Sequence, residues 1–327
     1  MIRATIAAGL IALAGLTAPA SAQTALQQAN AALFKQMSQV LRYSPAQMQR
    51  VQQIFARSGF MGQGNPAITR HPMTPEQCRA RIPGGANGYS DGRNERICGD
   101  KYMAPLYDPR NQSASDAKAC IDQFEFPNIP CTYPVVWVKA KEAAELCAAV
   151  GKRLCDAHEW EGACAGALEP PDYRFDLGSV AAMRNAHNAK YAATKSWSYG
   201  PNYQRGVCGA NSEKSSTCGG GGFNSCGSNT YPTGAFPGCR SPLGVYDING
   251  NAAEHMNLPM APDQMASRGS TKLGVTEMKG SWFIFDKYRA HPDWCRWRAP
   301  FWHGSRVMAA GSHENYHLGF RCCKTIK

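Results

Sequence analysis

The chain has 327 residues, 43% of them hydrophobic, a formal net charge of +11 and fourteen cysteines. That length suits one large domain, or a domain with an appendage. The basic surplus would attract an acidic partner, but no basic run is interleaved with aromatics, so nucleic acid is not expected as a ligand.

In chain order, Met1-Ile2-Arg3 is a short positive start. Ala4 to Ala18 is apolar but falls short of the roughly 18 residues a membrane span needs. Pro19-Ala20-Ser21-Ala22 supplies small residues before a cut ahead of Gln23. Residues 1–22 are therefore expected to be a secretory leader, which implies a secreted or periplasmic protein. No Cys follows the cut, and no later segment is expected to cross a bilayer. All the cysteines lie between Cys78 and Cys323, and none has the C-x-x-C spacing of a thiolate metal site. In an oxidising compartment they read as a disulfide framework.

Leu26, Ala29, Leu33, Met37 and Leu41 recur at helical spacing. Ser44-Pro45 then makes an N-cap and first-turn start, followed by Val51, Ile54 and Phe55 on one face and a stop at Gly59. These are two helices within residues 23–116, a helical and loop-rich extension. From Ala117 the pattern tightens. "CIDQFEF" alternates as a strand does, and "PVVWV" reads as another. "KAKEAAELCAAVG" is a helix ending at Gly151, and "KRLC" is a short extended link. "DAHEWEGACAG" is a helix with Asp156 as N-cap, Glu159 as its capping-box partner and Gly166 past its end. Long stretches rich in Gly, Asn, Tyr and Trp follow, up to "LGFRCC". No internal repeat is visible.

Five blocks stand in fixed order: "GKRLCDAHEWEGACAG", "PLGVYDINGNAAEH", "KGSWF", "CRWR" and "HLGFRCC". Together they resemble the formylglycine-generating enzyme, or sulfatase-modifying-factor, family. The resemblance covers residues 117–324, within a domain expected to run over 117–327. It implies an α+β, secondary-structure-poor fold of the C-type-lectin-like kind, here disulfide-rich and carrying the helical N-terminal extension.

The resemblance also carries site residues. It implies structural calcium held by Asp247 and Glu254 side chains and by the Gly250 and Ala252 carbonyls, a mix of hard oxygens that calcium favours. Gly250 and Asn251 permit the necessary curvature. The residue chemistry alone equally describes an Asx-type turn capped by Asp247, with Glu254 in an ion pair. Asn211 and Ser212 stand where two ligands of a second calcium would be, but the later Asp of that site has no counterpart. Of the cysteines, the resemblance implies the pairs Cys147–Cys322 and Cys164–Cys295. Cys155 and Cys323 are extra to its pattern and are left to pair with each other. "CGGGGFNSC" reads as a loop closed by Cys218 and Cys226, either to each other or to neighbours.

The family's enzymes oxidise a substrate cysteine with copper held by two thiols. Counted from Ser281, those thiols would be at 284 and 289, where this chain has Ile284 and Arg289. Cys295 is the sole thiol nearby, and one soft ligand does not make a two-thiolate copper site. Ala253 also replaces the aromatic that follows Asn-Ala in the family. The expectation is an exported accessory or binding protein, acting on an exported protein or a small ligand, that does not generate formylglycine. A second reading keeps an oxidoreductase or maturation enzyme in the same pocket, with a copper or iron site and Ser281, Arg296, His313 and His317 as catalytic candidates. A third, a zinc hydrolase, rests on "HENYH", His313 to His317, which matches H-E-x-x-H but needs a helix to bring both His to one face. His255 and His303 are further histidines that would have to converge with this pair. Trp282, Trp294, Trp297 and Trp302 crowd one segment, as core filling or as a binding floor.

Overall fold

A computed structural model describes residues 20–82, 84–299 and 304–326. Residues 1–19 of the expected leader, together with Trp302 and His303, lie outside that range. Among the described residues no helix is long and apolar enough to cross a membrane.

Helix α1 spans Ala20–Leu41 and α2 spans Pro45–Ser58. The α2 start is set locally. Ser44 accepts from the Gln47 amide while the Gln47 side chain accepts from the Ser44 amide, and Gly59 at φ 80° ends the helix. Helix α2 buries Val51, Ile54 and Phe55 against Leu146 and Ala143 of α5, Ala140–Ala149. Between them, α3 (Pro75–Arg81), α4 (Gly92–Cys98) and strand β1 (Met103–Leu106) interrupt a segment whose composition reads only as loop.

Two small sheets carry the rest. In the first, β1 pairs with β2 (Ala119–Asp122), β2 with β7 (Cys322–Thr325) and β7 with β3 (Arg153–Leu154), all antiparallel. The expected boundary between residues 116 and 117 thus falls between two paired strands. In the second, β4 (Ala253–Leu258) pairs antiparallel with β5 (Val275–Lys279) and parallel with β6 (Leu318–Phe320). Strands β6 and β7 are separated by Arg321 alone, so the chain leaves one sheet and enters the other at that residue.

Helix α6, Ala157–Ala165, has the Asp156/Glu159 capping box and a left-handed Gly166 at its end, and α7 runs Val180–Tyr191. The expected strand at "PVVWV" does not form. Val135, Val136 and Val138 are fully buried, but Val136 makes only an isolated bridge to Gly62, and Trp137 at φ 57° breaks the extended path.

All fourteen cysteines are consumed in seven disulfides. Cys147–Cys322, Cys155–Cys323 and Cys164–Cys295 tie α5, the link after it and α6 to the C-terminal third. Cys78–Cys131 and Cys98–Cys120 fasten the N-terminal segment, and Cys208–Cys239 and Cys218–Cys226 close loops. Several of these sulfurs pack with Trp160, Val245 and Met256 in one core.

Candidate functional site: a buried carboxylate loop and an open aromatic cavity

The loop between Gly244 and Glu254 turns on four left-handed residues: Gly244, Asp247, Gly250 and Asn251, at φ 83°, 54°, 87° and 56°. Gly250 has a second reason to be glycine, since a Cβ there would lie 3.3 Å from the Cys208 side chain and the Gly209 backbone. Asn251 fixes the curve. Its backbone N–H donates to Gly209 (3.0 Å), its side-chain amide donates to Glu125 (2.7 Å), and its side-chain oxygen accepts from the Tyr231 amide (2.8 Å).

Three buried carboxylates meet around this loop. Glu125 accepts from the Ala252 amide at 2.7 Å. Asp247 accepts from the Gly234 amide. Glu254 takes the Arg321 guanidinium, with Nη2 at 2.6 Å and Nε at 2.7 Å, and also accepts from Trp160 Nε1 at 2.9 Å. The remaining Arg321 N–H groups donate to the carbonyls of Asp122, Gln123 and Tyr246. One guanidinium cannot neutralise three carboxylates. Burial, then the neighbouring acids Asp247 and Glu254, pushes Glu125 well above the usual carboxylate range. Burial also carries Asp247 up to about 7, with the Glu254 charge adding to it.

Of the four residues expected to hold calcium, Glu254 is already fully engaged. Both Glu254 oxygens are engaged by Arg321 and Trp160, and a carboxylate offers only about four lone-pair sites. Glu254 therefore acts through its charge. Asp247 and the Gly250 and Ala252 carbonyls remain as the set that would hold calcium. Of the second calcium pair, Asn211 is exposed, while the Ser212 hydroxyl is buried and donates to the Asn229 carbonyl at 2.7 Å. Among the described residues no three of His, Cys, Asp and Glu are grouped to hold a metal.

The four catalytic candidates do not form one constellation. Ser281 is buried, accepting from the Gly250 amide at 2.9 Å and donating to Asp293 at 3.0 Å. Arg296 donates instead to the Ala167 carbonyl at 3.0 Å and lies over the Tyr191 ring. His317 packs on Trp282 at 4.6 Å. The "HENYH" segment is turn and irregular chain leading into β6, so the helix that a zinc-protease pair needs is missing. His255 and His317 both sense the charge of His313, but burial holds them to about 4 and 3 respectively, which keeps both neutral. At the positions of the family's thiols, Ile284 is buried and Arg289 stacks over Tyr203 at 3.7 Å, and the one nearby sulfur, Cys295, is bonded to Cys164.

The same segment borders an open cavity of about 450 Å³, walled by Trp282, Ile284 and Tyr316 and rimmed by Glu213, Lys214, Lys287 and Tyr288. Of these, the sequence drew notice only to Trp282 and Ile284. Tyr288 and Lys214 are exposed residues without a pattern to mark them, and only the fold sets them beside the tryptophan.

The fold is a secondary-structure-poor α+β domain of the formylglycine-generating-enzyme type, as the family match shows. Residues 67–326 match the family described as "Sulfatase-modifying factor enzyme 1-like domain", and the chain belongs to that family. No curated relative matches it. Among solved structures, PvdO from Pseudomonas aeruginosa is similar at 14% identity and TM-score 0.34, covering 68% of this chain and 91% of its own. CarF is similar at 12% identity and TM-score 0.37, covering 69% and 98%.

The Ser281–Asp293 contact gives a pH test. Burial raises Asp293 from 3.8 to about 6, against the bonds from Trp197 and Ser281. A carboxyl raised on folding contributes stability that is full below its unfolded pKa and lost as pH rises through its folded one. Asp293→Asn is expected to gain stability relative to the parent between pH 4 and pH 7. Urea midpoints at both values check this, and a pH-independent difference would contradict it.

Proposed function

We propose that this protein is an exported binding or accessory protein on the sulfatase-modifying-factor scaffold, and that it does not generate formylglycine. The observation that carries the reading is the state of the sulfur: every cysteine is in a disulfide, so no thiol remains to hold copper. Copper chemistry of the family's kind needs two soft thiolates side by side. Here an isoleucine and an arginine stand in their places. Seven disulfides also suit the oxidising compartment that an export signal implies.

Calcium bracing belongs to the same proposal. Its support is the buried acid cluster, Glu125, Asp247 and Glu254 against Arg321, whose burial and mutual repulsion raise Glu125 and Asp247 and which a divalent cation at Asp247 and the Gly250 and Ala252 carbonyls would relieve. The ion would supply rigidity, not chemistry.

Two measurements test these points. After copper loading, oxygen uptake with a cysteine-containing peptide is expected to match the buffer blank, and sustained uptake with aldehyde formation would overturn the non-oxidising reading. A chelator is expected to lower the melting temperature by several degrees, with calcium restoring it. An unchanged melting temperature would remove calcium from the account and leave the first result standing.

A further inference from the structure

The cavity beside Trp282 carries more than the lost copper chemistry. Its walls are apolar: Trp282 and Tyr316 are each 7% exposed, and Ile284 is buried. Its rim holds Tyr288, which at 63% exposed is an unusually open aromatic for this chain. Burying such a ring against a ligand gains free energy that the free protein forgoes. At about 450 Å³ the space lies within the roughly 300–1,000 Å³ range of small-molecule sites.

The charge at the rim is unbalanced. Lys287 is tied to Glu213 at 3.1 Å. Lys214, next in the chain, is exposed and makes no ion pair among the described residues. His317 behind the wall is held neutral, by burial first and then by neighbouring positive groups that include Lys214. Trp282 Nε1 and His317 Nδ1 are both buried without a hydrogen-bond partner. A purely apolar ligand would leave Lys214 unanswered, and a cation would be repelled by both Lys214 and the +11 net charge.

We propose that this cavity binds a small aromatic carboxylate, with its ring among Trp282, Tyr288 and Tyr316 and its carboxylate on Lys214. The proposal rests on the binding reading above and gives that reading a ligand class.

The test uses the full mature chain, with phenylacetate as probe and phenylacetamide as its neutral counterpart, each by calorimetric titration. Phenylacetate is expected to bind saturably and about fivefold more tightly than the amide. Lys214→Ala is expected to bring the acid down to the amide's affinity and leave the amide unchanged. Tyr288→Ala is expected to weaken both. Both side chains are on the surface, so the variants retain the fold, which circular dichroism verifies. Equal affinity for acid and amide, no effect of Lys214→Ala, or no saturable binding would overturn the proposal. That failure would concern the ligand class alone, because oxygen uptake tests the non-oxidising reading separately.

Discussion

The structure depends on one buried guanidinium. Arg321 is the single residue between the last strand of one sheet and the last strand of the other. Its side chain is fully buried, and stripping water from such a group costs several kcal/mol unless every N–H finds a partner. Glu254 supplies the charge, and the carbonyls of Asp122, Gln123 and Tyr246 take the remaining donors. Strand β2, the Gly244–Glu254 loop and both C-terminal strands are thereby fixed to one point. The loop's left-handed residues, Gly244, Asp247, Gly250 and Asn251, lie on the path that sets Glu254 against Arg321 while Asp247 stays buried.

Around this centre, regular structure is thin and covalent links do much of the ordering. The first sheet has four short strands and the second three. Cross-links such as Cys147–Cys322, spanning 175 residues, restrict the unfolded chain in a way that short ladders cannot. Every cysteine serves this purpose. Among the described residues no cysteine is free, and Cys295 is a staple to α6.

Local signals in the sequence were legible where one turn of chain decides the outcome. The Ser44 and Asp156 caps and the stops at Gly59 and Gly166 depend on residues a few positions apart. Cys147–Cys322 and Cys164–Cys295 came from the resemblance, and Cys155–Cys323 from the two cysteines left outside its pattern, since spacing alone leaves many pairings open. What stayed hidden needs distant partners. Glu125 meets Asn251 across 126 residues, and Arg321 meets Asp122 across 199. Strands β4 and β5 are buried on both faces almost throughout, so no alternation marks them. "PVVWV" misleads for the opposite reason: a β-rich apolar run is buried by its surroundings while Trp137 turns left-handed.

The most direct test of the central claim is a double-mutant cycle between Glu254 and Arg321, read by urea unfolding of the full chain. Glu254→Gln and Arg321→Met are each expected to cost about 3–5 kcal/mol, because each strands the other group in the interior. The double variant is expected to cost well under their sum, with a coupling of about 2–3 kcal/mol. Costs that simply add, or single variants as stable as the parent, would contradict the claim that this pair holds the two sheets and the loop together.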